Sequence, residues 1–209
     1  ENSAFEYGGD KKKSFGENVD SSWIKKYGAI GNSSVKDWVS CDLSEKDLNP
    51  YFLPDETDFH IKKIKSIFLG YFFKWDPKKT LEIAIRNGFK YKKTDRKIGY
   101  YEFADIDDNL ISIHHWLKWY KFGFTRAFDN LSIEIRQKRI KRDQALDVLK
   151  KIGDQRPDQD IDNFCKYTNI SKKYFNKICE MHRNKKIWSI NSFGVWVIKK
   201  FIIKEWKWK

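Results

Sequence analysis

The sequence predicts an α/β fold: a buried strand, then a mostly helical region, then a terminal β-hairpin. Three observations carry this. Residues 65–76, KSIFLGYFFKWD, form a continuous apolar and aromatic run that leads straight into an Asp-Pro helix start. From about residue 106 apolar residues recur at helical spacing between capping residues. Near the end, two short β-prone runs flank Asn191–Gly194.

Residues 1–9 read as a loop or helix start, with Asn2 and Ser3 able to cap and Gly8-Gly9 making a turn. Residues 10–58 are polar and loop-rich, and DLNPYFLPDETDF, with two prolines, should be an irregular connector. The run 65–76 has the length and composition of a buried strand in a parallel sheet. Asp76 as N-cap and Pro77 as first helical residue open a helix that places Leu81, Ala84 and Ile85 on one side and stops at Gly88. DDNLISIHHWLKWYKF sets Leu110, Ile113, Leu117 and Tyr120 on one stripe. Residues 130–153 make two short helices, the second burying Ala145, Leu146 and Leu149. Ser171 caps a further helix that turns Phe175, Ile178, Cys179 and His182 inward. IWSINSFGVWVIK is the hairpin, and the tail KFIIKEWKWK is a frayed or packed end.

Hydrophobic residues at 40% allow a substantial core, and a net charge of +13 suits an anionic partner: a nucleotide, a sugar nucleotide, nucleic acid or a membrane surface. A diffuse, solvated excess of lysine explains the same charge, since only eight of the 42 basic residues are Arg. Cys41, Cys165 and Cys179 have neither disulfide-framework nor metal-ligand spacing, so buried thiols in a reducing cytoplasm are expected, with no metal site. No apolar run is long enough to span a membrane. The chain begins at Glu1 and its only Met is Met181, so we expect a fragment of a longer protein.

ENSAFEYGGDKKKS has a glycine pair followed by lysines and a serine, but neither G-x-x-x-x-G-K-[ST] nor S-G-G-x-D-S. It is not a phosphate loop by its own chemistry. Its pattern EN-x-x-x-EYGG resembles a segment of the N-acetyl sugar amidotransferases of the PP-loop ATP pyrophosphatase superfamily. IFLGYFFKWD resembles that family's LGYY-x-x-WD strand. SIHHWLKWYKFGFTRAFDNLSIEIRQKRIKRDQAL resembles its block I-H-D-Y-x-K-x-x-K-F-G-[FY]-[GST]-R-A-T-D with S-x-E-I-R and R-E-E-A. RPDQDIDNFCKY and the IW that follows resemble its end. The matches run in order along essentially the whole chain.

The resemblance implies the carboxy-terminal part of a Rossmann-like, adenine nucleotide alpha hydrolase-like sheet. Residues 1–76 would be the remainder of the nucleotide-binding α/β domain. Residues 77–209 would be a helical substrate-side region with the hairpin. It implies conversion of an N-acetyl sugar to an acetamidino sugar in lipopolysaccharide O-antigen or flagellar sugar biosynthesis, in the cytoplasm. The substrate would be a sugar or nucleotide-sugar. ATP with Mg2+ would bind mainly through an amino-terminal half carrying the PP-loop, without which this chain would be inactive. Ammonia would come from a glutaminase and a synthase-like subunit.

His114, Lys118 and Lys121 share one helix face by their spacing, and they match the family's His and Lys positions. Such a face suits a diphosphate, a carboxylate or pyrophosphate, and is equally the pattern of a solvated helix side. Arg126, after Gly123, offers a planar fork for phosphate. We take His114, Lys118, Lys121 and Arg126 as catalytic candidates. Asn2, Glu6, Gly8, Gly9, Gly123, Asp129, Glu134 and Arg136 are candidates for substrate or nucleotide binding. Glu134 and Arg136 can also be a structural pair, Asp129 a cap or a partner of Arg126, and Asn2 and Glu6 caps. Trp116, Trp119 and Phe122 are expected in the core rather than as sugar platforms. His115 stands where the family usually has Asp, and Phe128 where it usually has Thr. An RNA-binding or tRNA-modifying PP-loop relative and a non-catalytic remnant are the alternative readings, although nucleic acid is not the expected partner.

Overall fold

A computed structural model describes residues 18, 23, 33–53, 56–73, 75–91 and 99–208. The chain divides into two compact units, Glu1–Trp75 and Asp76–Lys209.

The described part of the first unit is largely irregular. Short 3-10 turns occupy Val35–Trp38 and Asn49–Tyr51. Helix α1, Glu56–Ile61, begins inside the stretch expected to be an irregular connector. The run expected to be a buried strand instead holds a single helical turn, α2, Leu69–Phe72. Among the described residues of the run only Ile67 makes a bridge, to Asn18, and Leu69, Phe73 and Trp75 are exposed. The aromatic run has strand composition, but a strand needs a neighbour's amides and carbonyls along its length. Among the described residues a single residue supplies them, and the Tyr71 and Phe73 amides donate instead to the carbonyls of Phe68 and Leu69. No parallel sheet is present among the described residues.

The second unit is helical. Helix α3 spans Pro77–Arg86 and opens as its sequence dictates: Asp76 accepts a hydrogen bond from the Lys78 amide at 3.1 Å, with Pro77 in the first turn. Leu81 and Ala84 are half-buried, while Ile85 is exposed. Then come α4 (Ile111–Phe122), α5 (Arg126–Arg136), α6 (Arg142–Ile152), α7 (Asp158–Tyr167) and α8 (Lys172–Met181). The Ser171 hydroxyl caps α8, accepting from the Tyr174 amide at 3.1 Å. The chain ends in an antiparallel hairpin, β1 (Trp188–Ile190) with β2 (Trp196–Ile198). Asn191 organises its turn by accepting from the Phe193 and Val195 amides at 3.0 Å each.

Helix α4 is the central strut. Its buried stripe is Ile113, Trp116, Trp119 and Tyr120, with Ser112 beside them. Of the stripe read from sequence, Ile113 and Tyr120 are buried, Leu117 is half-buried, and Leu110 lies outside the helix and exposed. Large aromatics displace smaller aliphatics because each removes more apolar surface from water. Trp116 and Trp119 are core as expected; Phe122, at the helix end, is 50% exposed instead. Around α4 pack Leu131, Leu149, Ile161, Phe175, Trp188, Ile203 and Trp206. Ala145 is also buried, whereas His182, expected inward, is exposed because α8 has ended at Met181. Cys165 and Cys179 are buried thiols, and Cys41, contrary to expectation, is exposed.

The hairpin is fastened to the end of α4 by the carbonyls that a helix terminus leaves without partners. The Trp188 indole N–H donates to the Tyr120 carbonyl at 3.1 Å, as does the Asn184 amide, and the Asn184 side chain donates to the Lys121 carbonyl at 3.1 Å. Gly123 closes α4 in the left-handed conformation, φ 73°. A Cβ there would stand 2.6 Å from Cδ1 of Ile198 on β2.

Candidate functional site

Two polar clusters are built on α5, one at each end. At its start, Arg126 donates from Nε to Asp105 Oδ2 at 3.1 Å, and its Nη1 lies 3.8 Å from Asp129 one turn on. Asp129 also takes the ammonium of Lys118, reaching across from α4. The Lys118 ammonium sits 4.9 Å from the centre of the Phe124 ring. His115 Nε2 comes within 3.2 Å of Asp105 Oδ1, yet neither of its buried ring nitrogens has a well-directed hydrogen bond. Burial opposes ionisation of Asp105. The contact with His115 and the charge of Arg126 outweigh it, and the carboxyl is held below its ordinary range.

The loop that carries Asp105 is pinned at its start. The Gln155 amide exchanges two hydrogen bonds with the Gly99 backbone, at 2.9 and 3.0 Å, and the Tyr100 amide donates to Asn130 Oδ1 at 2.9 Å. Gly99 lies directly against Asn130 and Arg126, where a Cβ would stand 2.9 Å from Arg126 Cγ. A pocket of about 10 Å³, space for roughly one water, is lined here by Gly99, Ser112, His115, Trp116, Thr125 and Arg126 together with Asp154 and Gln155.

At the other end of α5, Glu134 is 1% exposed and fully engaged. Arg139 grips it with Nη2 and Nε at 2.7 and 2.8 Å, Lys78 donates at 2.9 Å and the Tyr101 hydroxyl at 2.6 Å. Arg139 also donates from Nη1 to Asp76 at 2.8 Å. These donors, Arg139 foremost, pull Glu134 down to about 2 and keep it ionised despite burial. Burial and the neighbouring Glu134 charge push the Tyr101 phenol up.

The sequence candidates therefore separate. Lys118, Arg126, Asp129 and, through its cap, Gly123 belong to the first cluster. His114 and Lys121 are exposed on α4, with Lys121 over the Phe122 ring at 5.7 Å. Glu134 sits in the second cluster, and its ion-pair partner is Arg139, not Arg136, which is exposed on α5. Asn2, Glu6, Gly8 and Gly9 lie outside the described residues. The sequence reading missed Asp105, Arg139, Lys78 and Tyr101. The signal available for Asp105 was the His115 departure itself: a histidine replacing a carboxylate beside Arg126 calls for a carboxylate from elsewhere.

The family described as LPS biosynthesis protein WbpG-like, C-terminal domain, matches residues 89–202, over half of the chain. The chain belongs to this family. Comparison with curated proteins finds no match. The WbpG-like family places the chain in lipopolysaccharide biosynthesis, with a biosynthetic enzyme role, and the match falls on the carboxy-terminal portion of the family, as the resemblance implied. The WbpG-like span contains both α5 clusters except for Asp76 and Lys78, which precede it and tie α3 to it through Arg139 and Glu134. Among the described residues no helix is long and apolar enough to cross a membrane.

Proposed function

We propose that the chain is the substrate-side part of an ATP-dependent amidotransferase that converts an N-acetyl sugar, free or nucleotide-linked, to an acetamidino sugar for surface polysaccharide. The observation that carries this reading is the half-buried meeting of Lys118, Arg126 and Asp129, within the block that resembles the amidotransferases, with Asp105 from the loop that precedes the block.

ATP supplies the activation: the amide oxygen departs on AMP, pyrophosphate is released, and the nitrogen of ammonia takes the oxygen's place. The 209 residues hold no S-G-G-x-D-S, so the triphosphate and its Mg2+ are assigned to a PP-loop half outside them, and ammonia to glutaminase and synthase-like partners. This chain's own part is electrostatic. Arg126 and Lys118, held by Asp105 and Asp129, are preorganised cations for charge that develops on the sugar amide or on released pyrophosphate. An incoming anion has to compete with those two carboxylates, which favours a multiply charged group over a single one. His114 and Lys121, exposed on the same helix, are the solvent-side extension of that face and a route for the proton that leaves as ammonia attacks.

The test is reconstitution. The chain, supplied with the PP-loop half, a glutaminase, ATP and an N-acetyl nucleotide-sugar, should yield a product in which one oxygen is replaced by an imino nitrogen, with AMP formed in equal amount. AMP formation without amidine, or amidation undiminished when Arg126 is replaced by Ala, would reject the assignment.

A further inference from the structure

His115 and Thr125 both line the small pocket beside Arg126, and both carry buried polar atoms without a well-directed hydrogen-bond partner in the protein: the two ring nitrogens of His115 and the Thr125 hydroxyl. We propose that this pocket binds one water molecule, and that the water makes His115 the positioning residue for Asp105 and, through Asp105, for Arg126. The site itself stands on geometry; its consequence for catalysis rests on the reading of Arg126 as the cation of an amidotransferase.

Thr125 is the N-cap of α5, where a threonine hydroxyl ordinarily accepts from an amide of the first turn. Here the hydroxyl caps nothing, and the residue is 2% exposed. A buried hydroxyl without a partner loses its hydration and gains no bond in exchange. Neighbouring groups are committed elsewhere: the Ser112 hydroxyl donates to Asp160, and the Gln155 amide holds the Gly99 backbone. One water meets the need. The pocket has about its volume, and water both donates and accepts. Arg126 lines the same pocket, and its Nη1 is 3.8 Å from Asp129, beyond hydrogen-bond reach, so it keeps N–H groups for a further bond. His115, Thr125 and Arg126 thus give the water the three partners usual for a buried one.

Asp105 is the group that needs holding. Its backbone is left-handed, φ 57°, a conformation that aspartate tolerates at some cost and that persists where its surroundings enforce it. Its carboxylate is shared: Oδ1 faces His115 Nε2 at 3.2 Å, and Oδ2 accepts from Arg126 Nε at 3.1 Å. A carboxylate only accepts, so the His115 hydrogen on this side belongs to Nε2, and Nδ1 is left for the water. A histidine held at one edge turns about its side-chain bonds. Held at both edges, it has a fixed ring plane and presents Nε2 to Asp105 in one direction. The same carboxylate then aims the guanidinium.

The test is NMR on the 209-residue chain alone, reading the ring of His115 and the Nε–H of Arg126. We expect cross-relaxation between the His115 ring hydrogens and water, of the sign that marks a long-lived bound molecule. The Arg126 Nε–H should exchange about tenfold more slowly than that of exposed Arg142. Thr125→Val keeps the shape and removes the hydroxyl. It should abolish the water peak, shift His115 Nδ1 and erase most of the Arg126 protection, and Thr125→Ser should restore all three. His115→Phe should cost Arg126 as much protection as Asp105→Asn. The Trp188 indole N–H, bonded to the Tyr120 carbonyl, reports that each variant is folded. A contribution to packing alone would lower the unfolding temperature without moving the Arg126 signal. Absence of the water peak in the native chain overturns the site with no variant needed, and so does full Arg126 protection in folded Thr125→Val. Amidation is measured separately in the reconstituted enzyme. Amidation that needs Arg126, with Arg126 protection indifferent to Thr125 and His115, removes this site and leaves the proposed function. A water-dependent Arg126 signal with amidation undiminished in Arg126→Ala does the reverse.

Discussion

Arg139 holds Glu134 through two parallel hydrogen bonds, Nη2 to Oε1 at 2.7 Å and Nε to Oε2 at 2.8 Å, and spends its third nitrogen on Asp76. One guanidinium thus joins the cap of α3 to the buried carboxylate of α5. A fork is required, because a lysine ammonium cannot face two carboxylates in a plane. Arg139→Ala should destabilise the chain by about 3–5 kcal/mol, since it strands Glu134 in the interior with Lys78 as its one remaining cation. Arg139→Lys should recover less than half of that. Urea unfolding checks both, and a loss under about 1 kcal/mol for Arg139→Ala would show the pair to be an ordinary surface bridge.

Glu134 also sets an acid limit. Its folded value, about 2, is depressed below the ordinary 4.5, so the stability it contributes is fully present above pH 4.5 and is lost as pH falls toward 2. Unfolding midpoints followed from pH 7 to pH 2 should therefore decline more steeply for the native chain than for Glu134→Gln across that window. Parallel declines would mean that another carboxylate governs the acid transition.

Gly123→Ala should cost about 2–3 kcal/mol. The left-handed φ of 73° is disfavoured for any residue with a Cβ, and here that Cβ meets Ile198 at 2.6 Å. Because the clash is with the hairpin, the companion change Ile198→Ala in the Gly123→Ala background should relieve part of the loss beyond additivity. Strict additivity in thermal unfolding would leave backbone strain as the sole cause.

Lys118 and Asp129 are each partly exposed, at 21% and 30% of the side chain, so their pair is worth little to the fold. A double-mutant cycle of Lys118→Ala and Asp129→Ala should give a coupling of about 0.5–1 kcal/mol in stability. In the reconstituted amidation assay Arg126→Ala should lower kcat/KM by about 10²–10³, the usual loss when one preorganised donor is removed from developing charge. Arg126→Lys should restore little of it. Equal rates for Arg126→Ala and the native chain would show Arg126 to be structural.

Features written in neighbouring residues were readable directly. Asp76-Pro77 starts α3, Ser171 caps α8 and Asn191–Gly194 turns the hairpin, because each interaction closes within a few residues. Helix α7 went unread as a separate element: its DQDIDNFCKY carries few apolar residues, and Ile161 and Cys165 supply its buried side. In the site, helical spacing grouped Lys118 with His114 and Lys121, but Asp129 joins it to Arg126 on the next helix, and spacing gave no means of finding Asp105, which arrives from a loop pinned by Gln155 and Asn130.

The sequence alone determined the caps at Asp76 and Ser171, the hairpin turn and the membership of a lipopolysaccharide biosynthesis family, since all of these are carried by order and spacing along the chain. Only the tertiary structure decided that 67–73 makes one helical turn and a single bridge instead of a strand. It alone decided that Glu134 belongs to Arg139 rather than Arg136, and that His115, Thr125 and Arg126 line one small pocket. Strand pairing, ion-pair choice and cavities depend on which distant groups arrive at the same place, and on the desolvation they share there; neither is a property of local sequence.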